Sequence, residues 1–409
     1  MAAVGDPLLN DHPAEARGNP TEVFAAALRL GLTSFGGPIA HLGYFERRYV
    51  QQLQWLTGPE YGSIVSVCQL LPGPTSSQVG FLIGLRRAGW SGALAAWCGF
   101  TLPSAALMFC FAVFAPAAPG PRVQAVLHGL MLTAVVVVGQ AVWSMARTLC
   151  PDTARRLIAI GACVLLLFEH TGLTQLIALV GGAVAGSLSC RTATAALDTR
   201  LTVARQNTAV AWIALVAFLS LLATLPLIAL WSPHSLEALA AVFYRAGALV
   251  FGGGHVVLPL LQQALVPDHW ISDDRFLAGY GLAQAMPGPL FTVSAFLGAA
   301  SAPAHVALLW ALVALAAIFL PGLLLAIAGL SLWSRLAALQ LTQPALAGTN
   351  AAVVGVLAAA LYNPVWTTGV QSLVDVVVVI AAFLLLQWGK TPPIMVTGLC
   401  VLVSVARVA

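Results

Sequence analysis

The sequence predicts an all-α integral membrane protein: two inverted-topology repeats of about six helical segments each, joined by one linking helix, with broken helices at the centre. Three observations predict it. Of 409 residues, 60% are hydrophobic and 8% charged, and the mean hydropathy is +0.92, so polar residues are too few to cover a water-soluble globule of this size. The apolar runs are mostly near the ~20 residues that a helix needs to cross ~30 Å of hydrocarbon, and they do not alternate as barrel strands do. Finally, the motif order of the first half returns in the second.

That recurrence is specific. Arg29 answers to Arg245, Gly31 to Gly247, Phe35-Gly36-Gly37 to Phe251-Gly252-Gly253, Gln69 to Gln284, Pro72-Gly73-Pro74 to Pro287-Gly288-Pro289, and Pro103 to Pro321. The partners stand 215 to 218 residues apart throughout. A tryptophan followed two residues later by a hydroxyl recurs too, as Trp55-Leu56-Thr57 and Trp270-Ile271-Ser272.

In order, residues 1–21 are read as a polar cytoplasmic tail without a cleavable secretory signal. Residues 22–190 form the first repeat, 191–237 a basic linker with one unpaired apolar run, and 238–409 the second repeat. The first repeat predicts crossings near 22–44, 61–85, 91–115 and 122–146, then two short ones at 157–168 and 173–189. The second predicts crossings near 238–260, 276–299, 304–331, 345–362, 372–388 and 392–408. With the linking helix these make thirteen.

Lys and Arg concentrate on the cytoplasmic side. Arg86-Arg87, Arg147 with Arg155-Arg156, the Arg191, Arg200 and Arg205 linker, Arg335 and Lys390 all fall there, with the N-terminus cytoplasmic and the C-terminus periplasmic. Arg47-Arg48 dissents, falling on the opposite side.

Glycine pairs and P-G-P break a helix, because proline lacks the backbone donor and glycine loses more entropy on ordering. In hydrocarbon the freed backbone groups need partners, so breaks persist where they are buried in protein or line a watery cavity. Matched breaks therefore predict one central cavity, where half-helix N-termini present N–H groups and a positive dipole end to an anion. The alternative is packing kinks without a ligand.

Arg29 and Arg245 each precede the central glycine of a break by seven residues. A guanidinium inside a span is a functional candidate, its planar fork matching an oxyanion; the alternative is that each snorkels to the interface. The candidate anion contacts are thus Arg29, Ser34, Phe35, Gly36, Gly37, Gln69, Pro72, Gly73, Pro74, Thr75 and Ser76 in the first repeat. Arg245, Gly252, Gly253, Gln284, Pro287, Gly288, Pro289 and Thr292 are those in the second. The hydroxyls of Ser77 and Ser294 stand near them, and Ser and Thr in membranes also commonly bond their own helix. His41, Glu46 and His255 are the candidate proton-coupling groups, and Asp375 reads as interfacial.

No phosphate-binding G-x-x-x-x-G-K-[ST], H-E-x-x-H or G-x-S-x-G occurs, so no ATPase, zinc hydrolase or serine hydrolase is predicted. No catalytic residue, cofactor or metal site is assigned. The cysteines show no C-x-x-C spacing and read as packing residues.

The set L-R-L-G-x-x-x-F-G-G-P, W-L-T, Q-L-L-P-G-P-T-S-S-Q, G-L-R-R-A-G-W and F-T-L-P-S, then F-G-G-G and Q-A-M-P-G-P-L-F, resembles the chromate ion transporter family in its long, two-domain form. The resemblance covers residues 22–408. It implies a secondary transporter that exports chromate through the bacterial inner membrane on the membrane potential or proton gradient, with sulfate as an analogue. Its partners would be the oxyanion, the bilayer and, in one arrangement, a second copy of the chain. Uptake or exchange of sulfate, or a membrane enzyme or regulator acting on anionic lipid head groups, are the alternatives. One departure stands out: Gly254 replaces the Pro38 of the first repeat, so the halves of the site are not equivalent.

Overall fold

A computed structural model describes residues 18–34, 37–114, 120–169, 172–190, 208–232, 234–250, 257–336, 342–389 and 391–408. Among them every regular element is helical. The N-terminal tail, Phe35, Gly36, Gly252, Gly253, His255, Lys390 and the basic linker lie outside the described residues.

In the first repeat, α1 (Pro20–Thr33) starts at Asn19, whose side chain accepts the Thr21 N–H, and α2 (Gly37–Phe45) runs on into a π-helical turn, Glu46–Gln52. These two arms do not form one crossing. The Trp55 indole N–H, just past the second arm, donates to Glu22 at the start of the first at 3.1 Å, so the chain has turned back at the Ser34 break. The arms are short for crossing: 14 residues rise about 21 Å, against ~30 Å of hydrocarbon.

The next segment repeats the device. α3 (Gly58–Leu70) and the first half of α4 (Thr75–Phe114) flank the Pro72-Gly73-Pro74 break, and Arg86 pairs with Glu60. A straight helix over 61–85 would part its ends by about 36 Å. The crossings predicted at 22–44 and 61–85 are therefore re-entrant hairpins. At Ala88-Gly89, where Gly89 has φ +66°, α4 breaks again, and only its second half runs the length of the bundle.

The second repeat has the same corrections. α9 (Leu236–Leu249) and α10 (Val257–Leu265) return on themselves, because the His234 ring before α9 stacks on Trp270 beyond α10 at 4.8 Å and meets the Asp268 carbonyl at 2.9 Å. α11 (Asp273–Ala285) and α12 (Val293–Ala300) flank the second P-G-P as another hairpin, with Gly279 of one arm packed on the Phe296 ring of the other. Four hairpins replace four of the thirteen predicted crossings. This also removes the dissent of Arg47-Arg48, which returns to the end of the bundle that holds Glu22 and Arg87.

The remaining helices are long or apolar: α5 (Pro121–Leu149), α6 (Thr153–Phe168), α7 (Gly172–Ser189), the unpaired α8 (Thr208–Ala229), α13 (Ala307–Leu336), α14 (Thr342–Ala360), a short α15 (Thr367–Gly369), α16 (Leu373–Gln387) and α17 (Pro393–Ala406). Five helical stretches are long and apolar enough to cross a membrane, Thr75–Phe114, Pro121–Arg147, Thr208–Ala229, Ala304–Gly329 and Ala347–Gly369. The outward face of α8 carries exposed Ile213, Val216, Leu219 and Leu227, a surface suited to lipid. The last helices are exchanged: α6 and α7 of the first repeat pack on α14 of the second, while α16 and α17 pack on α5 of the first.

The W-x-[TS] recurrence has a structural role. Trp55 stacks on Tyr49 and lies under the Arg87 guanidinium, and the Thr57 N–H donates to Glu60 at 2.8 Å, closing the first turn of α3; Ser272 is the N-cap of α11. Burial opposes ionisation of Glu60, but the Thr57 N–H and the Arg86 guanidinium hold its carboxyl below the usual 4.5. Because the folded-state value is depressed, its stabilisation is present above the ordinary carboxylate range and is lost as pH falls through the folded value. Both side chains are 22% exposed, so the pair is worth about 1 kcal/mol or less. In detergent, Glu60→Gln should melt about one degree below the parent near neutral pH, with the gap closing as pH falls below the ordinary carboxylate range; a gap that persists in acid would assign it to lost packing.

Candidate functional site

The tips of the hairpins meet. The Gly73 N–H donates to the Val250 carbonyl, which ends α9, at 2.7 Å, and the Gly288 N–H donates to the Ser34 carbonyl, which ends α1, at 2.9 Å. Each P-G-P of one repeat thus satisfies the orphan carbonyl left by the other repeat's first break, as burial of a broken helix requires. Both glycines have positive φ, +117° and +95°.

The seats for these tips match as well. Gly73 lies against Gly322, next to the helix-interior Pro321, and Gly288 lies against Ser104, next to Pro103. Gln78 locks the first seat by donating to the Pro72 and Gly322 carbonyls, both at 2.9 Å.

Around this crossing sits a buried polar set: Ser34, His41, Ser76, Ser77, Gln78, Thr101, Ser104, Thr292 and Ser294 are each no more than 3% exposed. Some are locally satisfied. Thr292 donates to the Pro289 carbonyl at 2.9 Å, Ser104 to Thr101 at 3.2 Å, and His41 Nδ1 meets Ser76 at 3.3 Å. The hydroxyls of Ser34, Ser77, Thr101 and Ser294 have no partner among the described residues, and neither has Gln78 Oε1. A buried hydroxyl without a partner costs about 1–3 kcal/mol, so a group that supplies hydrogen-bond acceptors or donors there is stabilised. The second arms of the P-G-P hairpins begin at their tips, aiming helix N-termini at the same place.

The other predicted residues are distributed unevenly. Pro74 and Pro289 are buried, while Pro72, Pro287 and Thr75 are half-buried at the tips. Gly37 starts α2. Gln69 is exposed, and Gln284 is half-buried with its side chain at the Tyr280 hydroxyl. Glu46 is exposed at the far end of α2, about 13 Å along the helix from the tip.

Arg29 and Arg245 both lie on exposed faces, five residues and about 7 Å before their tips. Arg245 lines a cavity of about 480 Å³ with Gln175, Gln263, His234 and Trp270. There Gln263 Oε1 is a buried acceptor without a partner among the described residues. Arg29 therefore lies outside the polar crossing, whereas Arg245 borders a cavity beside it.

Residues that the sequence reading missed are Thr101, Ser104 and the locking role of Gln78. The first two sit more than three turns into the crossing half of α4, on the seat of the other repeat's P-G-P, and only the recurrence of proline beside them marked the position.

Crossed re-entrant hairpins inside a shell of apolar helices define a multi-pass helical membrane protein with a polar centre. The chain belongs to the chromate transporter family, whose profile matches residues 21–187 and 237–405. It is 27% identical to a chromate transport protein of Pseudomonas aeruginosa over 68% of this chain and 65% of that protein, so the match spans just under two thirds of that relative's length. It is 26% identical to one from Cupriavidus metallidurans over 93% and 91% of the two chains. A probable chromate transport protein of Synechococcus elongatus is 27% identical over 72% and 71%. No solved structure matches.

Proposed function

We propose that this chain is a secondary transporter that exports chromate across the bacterial inner membrane, by alternating access at the crossing of the hairpin tips. The observation that carries the reading is the reciprocal exchange of Gly73 N–H to Val250 and Gly288 N–H to Ser34 around buried hydroxyls that have no partner among the described residues. A dianion rich in acceptor oxygens is the ligand such donors and helix N-termini suit. Arg245 supplies charge from the adjoining cavity. The family match and the names of the relatives point to chromate as that dianion.

Inverted repeats are part of the proposal, and the path of α4 supports them. From Gly89, at the base of the first repeat's hairpins, its second half rises about 37 Å over residues 90–114. It ends where Arg275, at the base of the second repeat's hairpins, donates to the Ala112 carbonyl at 3.0 Å. Hairpins entering from opposite ends give each tip pair its own access route, the arrangement that midplane transporter sites use. The end holding Arg47, Arg48, Arg86, Arg87, Arg147, Arg155 and Arg156 is assigned to the cytoplasm. A negative interior then favours departure of a dianion by about twice ~2.3 kcal/mol per 100 mV.

Proteoliposomes test this. A hydrogen bond to a charged ligand is worth about 1.5–3 kcal/mol, so the double variant Ser77→Ala, Ser294→Ala should lose chromate transport by about a hundredfold while eluting as folded protein. Arg245→Ala should chiefly raise the half-saturating chromate concentration. Unchanged transport in both would remove the crossing as the site.

A further inference from the structure

A second polar cavity, of about 850 Å³, opens at the end of the bundle opposite the basic clusters, where the N-termini of α5, α11 and α16 meet the C-terminus of α17. His128 of α5 stands in it with Nε2 3.1 Å from Asp375 Oδ1, and the same oxygen accepts from Arg407 at 2.6 Å. Arg407 also donates to the Ser372 hydroxyl at 3.2 Å, and Asp375 Oδ2 accepts the Gln371 N–H at 3.1 Å. Asp375 is 1% exposed: at the end of its helix the carboxylate is covered by the partners that neutralise it.

We infer that His128, clasped by Asp375 and Arg407, is the proton-binding site of the carrier, a role that rests on the transport reading above. The charges lining the cavity sum to zero without it: Asp274 and Arg275 on α11, Asp375 on α16 and Arg407 on α17. α14 and α15, which also pack on α5, contain no ionisable side chain, Tyr362 between them points outward at 61% exposure, and Cys400 of α17 faces Thr133 more than a turn deeper. Histidine is the side-chain type suited to carrying a proton on and off, and His128 is the histidine that lines this cavity. Nε2 faces the carboxylate, which places the neutral ring's proton there and leaves Nδ1 to take a second from water in the cavity.

The bridge crosses between repeats, from α5 of the first to α16 and α17 of the second. Protonation turns the ring's hydrogen bond to the carboxylate into an ion pair, so it favours whichever arrangement of the repeats keeps the clasp closed. A ligand shifts an equilibrium only by its differential affinity for the two states, and a clasp that exists in one arrangement supplies that difference. The clasp is also single: α6, α7 and α14, its counterparts in the other half, contain neither histidine nor aspartate.

The test compares coupled and uncoupled fluxes in proteoliposomes with the membrane potential clamped. For His128→Gln we expect chromate exchange at equal pH on both sides to stay within about twofold of the parent, and chromate accumulation driven by a pH gradient to fall by at least tenfold. Asp375→Asn removes the carboxylate that favours the protonated ring, so the midpoint of pH-driven flux should move to acid by about one unit or more. Full pH-driven accumulation in His128→Gln, an unmoved midpoint in Asp375→Asn, or a parent protein that exchanges chromate but ignores the pH gradient would each overturn the proton assignment alone. Absence of chromate exchange in the parent would overturn the transport reading and this inference with it.

Discussion

Gly73→Ala should abolish chromate transport, to below about a hundredth of the parent rate, and Gly288→Ala should reduce it severely but repairably. Both residues sit at positive φ, where an L side chain costs about 1–2 kcal/mol before any contact is considered. The contacts then separate them. A methyl on Gly73 would meet the Gly322 Cα at 2.7 Å, which is backbone and cannot step aside. On Gly288 the nearest atom is the Ser104 hydroxyl at 2.9 Å, with the carbonyls of Gly31 and Phe100 at 3.3 Å. Removing that hydroxyl with Ser104→Ala should therefore restore part of the activity of Gly288→Ala, whereas trimming Gln78 beside Gly73 would leave the backbone obstacle in place. Each substitution also pushes away a tip whose N–H satisfies the other repeat's broken helix, so the damage falls on the crossing and not on the shell. Measuring transport alongside elution from a sizing column checks this: folded, inactive Gly73→Ala is the expected result, and normal transport would show that the tips do not form the site.

The composition, the duplication and the four breaks were legible because their signals are local: apolar run length, and the backbone chemistry of glycine and proline. The direction of the chain after each break was not. Residues 61–85 add up to a spanning length whether the helix continues or folds back, so the length rule chose the crossing. The information that decides it is the pairing of Glu60 with Arg86, invisible until the two are brought together. One clue did sit in the sequence, since Arg47-Arg48 violated the charge rule in a crossing topology and obeys it in a re-entrant one. The site was half legible for a similar reason. Breaks and their hydroxyls announce themselves, whereas Thr101 and Ser104 join through a helix that passes the opposite tip. His128, Asp375 and Arg407 lie at helix ends from both repeats, and nothing in the sequence order brings them together.

The exchange of end helices between repeats sets the second large effect. Gly129 of α5 faces the Val401 Cα of α17, 2.5 Å from where a Cβ would stand, and Gly348 of α14 faces the carbonyl of Gly182 on α7 with Gly186 beside it. The two glycines are equivalent by the repeat, and each lets a central helix touch the other repeat's last helix, backbone against backbone. Without a hydrophobic force between helices in lipid, such close packing is a main source of association. An added methyl in a tight core costs about 1–3 kcal/mol, and a leucine facing backbone costs more because the obstacle cannot change rotamer. Gly129→Leu and Gly348→Leu should each leave little folded protein in the membrane, with Gly129→Ala and Gly348→Ala intermediate and lowering the melting temperature by several degrees. Folded yield from a fluorescent carboxy-terminal fusion, with melting of the purified alanine variants, measures both. If the helices were not exchanged, α7 and α17 would be loosely held lipid-facing elements and all four variants would accumulate like the parent; their joint loss is expected because neither repeat can close its own shell.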